Sequence, residues 1–250
     1  MTRGDAMQAR AEDRTLVVLG AGPGLGMSMA HRFGREGFAV ALISRHRPRH
    51  EAYLASLAEA GVPAASFTAD VRDRHQLLAA LDAARERFGR VDVAYYGPSA
   101  ADPGALPAPI DRTDAASVRE AMNAVYPAFD VVGGLLPGMT ERGDGALLFA
   151  GGLAGVVPLP QLGALAISSA ALRNYALTLH AALADRGVYA GVLSIGGLIE
   201  RSDVHRMVTA RPERFGRLGL RTLDPDRIAD AAWDLVARRD RAEAVFNTWQ

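Results

Sequence analysis

The sequence predicts an α/β fold: a doubly wound parallel sheet of about seven strands with helices on both faces, in a single domain. Three observations predict it. Strand-like apolar runs alternate with helical patterns along the whole chain. Runs such as Val91-Asp92-Val93-Ala94-Tyr95-Tyr96 and Gly145-Ala146-Leu147-Leu148-Phe149-Ala150 are nearly continuous in apolar residues, which suits strands covered on both faces. The first run, Leu16-Val17-Val18-Leu19, passes straight into a glycine-rich turn and then a helical stretch, the opening of a βαβ unit.

Taken in order, strands are expected near 15–20, 38–44, 63–68, 91–96, 145–150, 188–195 and 243–247. Helices are expected near 25–36, 49–60, 73–88, 114–137, 161–186 and 225–239. Asp224-Pro225 is a good helix start, with Asp as the cap and Pro in the first turn. Residues 1–14 are polar and charged and read as a loose tail, leaving 15–250 as the folded domain. The Pro/Gly-rich piece 97–109 and the Arg-rich piece 200–222 leave the carboxyl ends of the fourth and sixth strands, where open α/β sheets bind ligands.

Composition narrows the function classes. The 28 basic residues, all arginine, balance 28 acidic ones, so neither nucleic acid nor an anionic membrane is an expected partner. No apolar run reaches the ~18 residues of a spanning helix. The absence of cysteine removes disulfides, thiolate catalysis and Cys-ligated zinc, and agrees with a cytoplasmic location. His46 and His50 sit four apart, but Pro48 between them argues against a helix there, and no metal site is expected.

The turn itself carries the first functional signal. Gly20, Gly22, Pro23, Gly24, Leu25 and Gly26 give the spacing G-x-x-x-G-x-G, in which glycine lets the backbone turn sharply and approach a pyrophosphate at the helix N-terminus. At the end of the second strand stand Ser44 and Arg45 in Ile43-Ser44-Arg45-His46-Arg47, with no carboxylate to take a ribose 2′-hydroxyl. Arginine's fork of donors suits a 2′-phosphate, which favours NADP(H) over NAD(H). The spacing resembles that of the short-chain dehydrogenase/reductase family, whose fold is a Rossmann-type sheet. Ala69-Asp70-Val71, Asn123, Arg90-Val91-Asp92-Val93 and Leu136-Pro137-Gly138-Met139 extend the resemblance over about residues 15–247.

The resemblance implies that Asp70 and Val71 border the adenine and that Gly97 lies beside the cofactor. It also implies a carbonyl–alcohol oxidoreduction that uses a serine, a tyrosine and a lysine. Those three side chains are missing: Gly152, Leu165 and Ser169 occupy the matching positions, and Arg201 replaces the threonine expected to hold the nicotinamide carboxamide. Tyr96, at the end of the fourth strand, is the expected substitute proton donor, with Asn123 and Ser169 as further catalytic candidates. On this pattern the chain is an atypical NADP(H)-dependent oxidoreductase acting on a small molecule. The alternatives are an inactive NADP(H)-binding sensor or partner subunit, and a non-redox cyclase, dehydratase or isomerase. Homodimers or homotetramers through the two long helices are also implied.

Overall fold

The computed structural model describes residues 14–98, 107–211, 213 and 221–248. One parallel sheet runs through it in the order β3-β2-β1-β4-β5-β6-β9. Its strands are β1 (Thr15–Leu19), β2 (Ala39–Ser44), β3 (Ala64–Thr68), β4 (Val93–Tyr96), β5 (Gly145–Gly152), β6 (Val188–Gly196) and β9 (Glu243–Asn247). Between β6 and β9 the chain adds a two-residue parallel pair that the pattern did not announce, β7 (Leu198–Ile199) with β8 (Thr222–Leu223). The helices are α1 (Leu25–Arg35), α2 (Arg47–Glu59), α3 (Arg74–Phe88), α4 (Ala115–Met122), α5 (Tyr126–Arg142), α6 (Ala164–Leu183), α7 (Asp203–Thr209) and α8 (Pro225–Arg238).

Alternation along each strand divides the interior into two cores. Val17, Leu19, Tyr96, Leu147 and Phe149 face α3, α5 and α6, where Leu77, Leu81, Val131, Leu135 and Leu172 meet them. Leu16, Val18, Leu42, Tyr95 and Leu148 face α1, α2 and α8 through Met29, Phe33, Leu57, Ile228 and Leu235. Strands this apolar on both sides are stable only when both faces are covered, and here both are. Buried Asp92 ties the starts of β1 and β4 together, accepting from the Thr15 amide at 2.8 Å and pairing with Arg90 at 2.9 Å.

Four boundaries differ from expectation, each for a local reason. The stretch 114–137 is two helices, because Asn123 caps α4 and Pro127, with no N–H to offer, opens α5. α5 then runs on to Arg142 despite Pro137 and ends where Gly143 turns left-handed. Pro48 begins a helix rather than preventing one, since the first turn needs no N–H from it. Arg14 belongs to the fold: its carbonyl accepts from the Ala39 amide at 2.8 Å and its guanidinium lies 4.3 Å from the Phe38 ring centre. The rest of the expected tail, residues 1–13, lies outside the described residues, as do 99–106, 212 and 214–220 of the two expected ligand loops.

Candidate functional site

Strand order reverses between β1 and β4, and the cleft of an open α/β sheet forms at that point. The loops leaving the two strands meet there. Gly20 adopts φ +93°, and a Cβ on it would stand 2.7 Å from the Gly97 carbonyl and from Pro98, so only glycine fits. The amides of Gly20 and Ala21 both donate to the Ile43 carbonyl, and the Gly97 amide donates to that of Leu19, which fixes the turn against β2 and β4. Gly26 packs the start of α1 onto the turn, with 3.0 Å from its Cβ position to the Gly20 carbonyl. Leu25 is buried behind it, and Pro23 is half-buried on the turn.

The space beside the remaining glycines decides whether a dinucleotide's diphosphate suits the turn. At Gly22 that space is open, since a Cβ would meet only the Gly20 carbonyl, at 3.9 Å. At Gly24 it is taken: a Cβ would stand 3.0 Å from the Glu200 carbonyl and 3.1 Å from Ser202. A backbone turn of this kind, closed by a helix N-terminus, favours an anion at the Gly22 side.

Ser44 and Arg45 stand at the end of β2 as expected. The Ser44 hydroxyl is buried and bonded to His50 Nε2 at 2.8 Å. Burial, then the charges of Arg47 and His46, depress the His50 pKa, so the ring is held neutral. Arg45 is half-exposed and 3.8 Å from Asp70. Burial works against the charge of Asp70, but the Arg72 amide and guanidinium and then Arg45 outweigh it and hold this carboxyl below its usual range. Val71 is buried beside it in the core. Glycine turn, Ser44, Arg45 and Asp70 thus form one edge, and its chemistry fits the adenosine-phosphate half of a dinucleotide.

The other half differs from expectation. Tyr96 is a core residue: it is 1% exposed, and its hydroxyl donates to the Ala124 carbonyl at 2.7 Å. Burial, and secondarily Asp130, raises its pKa far above that of a free phenol, the wrong direction for a proton donor near neutrality. Tyr95 is buried in the opposite core, with its hydroxyl beneath Gly97, so neither tyrosine faces the cleft. Asn123 caps α4 and its amide donates to Glu120 at 2.9 Å, a bond within its own helix. Ser169 does lie at the end of β5, with its Oγ 2.9 Å from the position a Cβ would take on Gly152. Leu165 is one turn earlier on α6, where its carbonyl accepts from Ser168. Among the described residues no group of three or more His, Cys, Asp or Glu side chains forms a metal site.

Sequence reasoning missed the cover over Gly24. Arg49 of α2 binds Asp203 at 2.7 Å across 154 residues of chain. The Ser202 cap was legible as a serine before a short helix, but the long-range ion pair had no local signal.

Comparison with known proteins agrees with the architecture. The family model for short chain dehydrogenase matches residues 14–210, and the chain belongs to that family. It is 29% identical over 183 residues to 2-(S)-hydroxypropyl-CoM dehydrogenase 3 of Xanthobacter autotrophicus, covering 73% of this chain and 70% of that protein. Similarity to 3beta-hydroxysteroid dehydrogenase 1 of Eggerthella lenta, 28% identical, extends over 94% of this chain and 90% of the relative. Among solved structures, L-sorbose reductase of Gluconobacter frateurii, complexed with NADPH and L-sorbose, superposes with a TM-score of 0.80 at 21% identity, covering 94% of this chain and 95% of that one. A metagenomic short-chain oxidoreductase in complex with NADP gives 0.75 at 19% identity, with 94% and 97% covered.

Proposed function

We propose that this chain binds NADP(H) and acts as an oxidoreductase with a rearranged active site. The observation that carries the proposal is the continuous edge formed by the glycine turn, Ser44, Arg45 and Asp70 at the strand-order reversal. The Gly22 side of the turn and the α1 N-terminus would hold the diphosphate, Ser44 and Arg45 the 2′-phosphate, and Asp70 and Val71 the adenine. NADP(H), when bound, supplies hydride exchange at its nicotinamide. The chain's own contribution at that end is small: Gly152, Leu165 and Ser169 offer a single hydroxyl between them. A positioned acid or base contributes roughly 10²–10⁴ in rate, so the reaction favoured here is one whose proton comes from water or substrate.

The burial of Tyr96 gives a second reading its weight, that of an inactive NADP(H)-binding sensor or partner subunit. Titration with NADPH, NADP, NADH and NAD, followed by calorimetry and NADPH fluorescence, separates the two. Tight binding with altered nicotinamide fluorescence supports the oxidoreductase, free-like fluorescence the sensor, and no binding refutes both. Arg45→Asp should weaken NADPH far more than NADH, and equal weakening removes Arg45 from the site.

Self-association belongs to the same proposal. Tyr126 and Phe129 on α5 and Ile167 on α6 are exposed, and Phe129 stacks on Tyr175 at 3.9 Å, an apolar patch across the two long helices. No helix among the described residues is long and apolar enough to cross a membrane.

A further inference from the structure

Ser44 stands in the middle of the edge assigned above to the coenzyme, and backbone bonds hold it there. The residue before it, Ile43, receives the Gly20 and Ala21 amides on its carbonyl. The Ser44 carbonyl receives the amide of Ala69, the neighbour of Asp70, at 3.2 Å. The serine is thus fixed between the glycine turn and the acid that follows β3. Its hydroxyl already has a partner, His50 Nε2 of α2, at 2.8 Å. His50 is 5% exposed, too deep for a ligand to touch, so any influence it has on this edge passes through Ser44. Arg47 and His46 act on the ring from its own helix, whose first turn holds no acid. On the strand side stand Ser44 and then Arg45 and Asp70, 3.8 Å apart.

A hydroxyl has one hydrogen, and the imidazole decides where it points. A bare Nε2 draws that hydrogen inward and leaves Ser44 showing lone pairs, which suit a ribose hydroxyl and repel a phosphate. An Nε2 that carries a hydrogen donates to the serine oxygen instead, and the Ser44 hydrogen is free to meet a phosphate oxygen. We infer that His50 is a specificity-determining residue for the coenzyme: with Nε2 donating, it turns the Ser44 hydroxyl outward as a donor to the 2′-phosphate of NADP(H). The inference rests on the cofactor reading given above. His50 is a positioning residue, and the effect is reciprocal. A dianion at Ser44 stabilises positive charge on the ring behind it, so NADP(H) raises the affinity of His50 for a proton and NAD(H) does not.

His50→Leu keeps an apolar bulk and removes the donor. A hydrogen bond to a charged group is worth roughly ten- to a hundredfold in an equilibrium, so NADPH should bind at least about tenfold more weakly, with NADH within about twofold of the unaltered chain. His50→Gln, whose amide can donate to Ser44 in place of Nε2, should keep NADPH affinity within about threefold. Ser44→Ala should match His50→Leu, and the double variant should lose no more than either alone, because the pair acts as one donor. Equal weakening of NADPH and NADH, or additive losses, makes His50 a packing residue; the inference is then overturned and the cofactor reading stands. A measurement on the unaltered chain guards against variants that fail to fold. The assigned His50 ring resonance should titrate at higher pH with NADPH bound than with NADH or with neither, and an unmoved midpoint overturns the inference. If the unaltered chain binds neither coenzyme, the cofactor reading falls and the inference with it.

Discussion

Removing the Tyr96 hydroxyl tests the division between core and site directly. Tyr96→Phe keeps the ring against Phe149 and deletes one partly buried hydrogen bond, the donation to Ala124 O. A neutral hydrogen bond contributes about 0.5–1.5 kcal/mol net, and an acceptor left dry raises the cost towards 3. The Ala124 carbonyl sits in the turn between α4 and α5, and that half-buried turn admits water, so we expect about 1 kcal/mol. In a domain of this size the loss lowers the melting midpoint by about 2–4 °C. Tyr96→Ala, which empties the ring's place in the core, should cost about 3–5 kcal/mol. Thermal and urea denaturation measure both, and NADPH titration of the phenylalanine variant should match the unaltered protein. Unchanged stability with a tenfold loss of NADPH binding or turnover would refute the reasoning and return Tyr96 to the active site.

Three further outcomes are expected. Gly20→Ala forces a Cβ into the Gly97 carbonyl and Pro98 at positive φ and should cost about 2 kcal/mol or more, whereas Gly22→Ala, with open space beside it, should change the melting midpoint by less than about 1 °C. Arg173 on α6 holds Glu243 of β9 through two bonds, 2.8 and 2.6 Å, and keeps its carboxyl below the usual range. Because that folded-state pKa is depressed, the stabilisation is complete above the unfolded value near 4.3 and disappears as pH falls through the lower folded one. A double-mutant cycle of Arg173→Met and Glu243→Gln should accordingly give about 1 kcal/mol of coupling at pH 7 and little well below pH 4, and a coupling flat with pH counts against it. His50, also depressed, contributes stability above about pH 6.5 that is lost as pH falls below it, and its ring resonances should titrate with a midpoint under 6.5.

How far the sequence revealed this molecule depended on whether a signal was local. Strand runs and the glycine turn are short-range patterns, and each of the seven sheet strands stands within two residues of its expected place. Tyr95 and Tyr96 show where such reasoning stops. Period-two alternation says that they face opposite sides, but a central parallel strand has a core on each side, so alternation could not put either in the cleft. Pro127 opens α5 inside a stretch whose apolar pattern runs on through it, so the pattern alone does not divide the two helices. Nothing local links Arg49 to Asp203, or Gly24 to Ser202; those contacts exist only once the sheet has brought the ends of β2 and β6 to the same edge.

The arginine-only chain with its buried tyrosines has a consequence for handling the protein in solution. Lysine and cysteine, which lose protons near pH 10.4 and 8.5, are missing, and Tyr95, Tyr96 and Tyr189 are held protonated by burial. A formal charge of zero at pH 7 therefore changes only slightly as pH rises towards about 9, because the two side-chain types that ordinarily lose protons there are missing. Raising the pH of a buffer across that span therefore adds little charge repulsion between molecules.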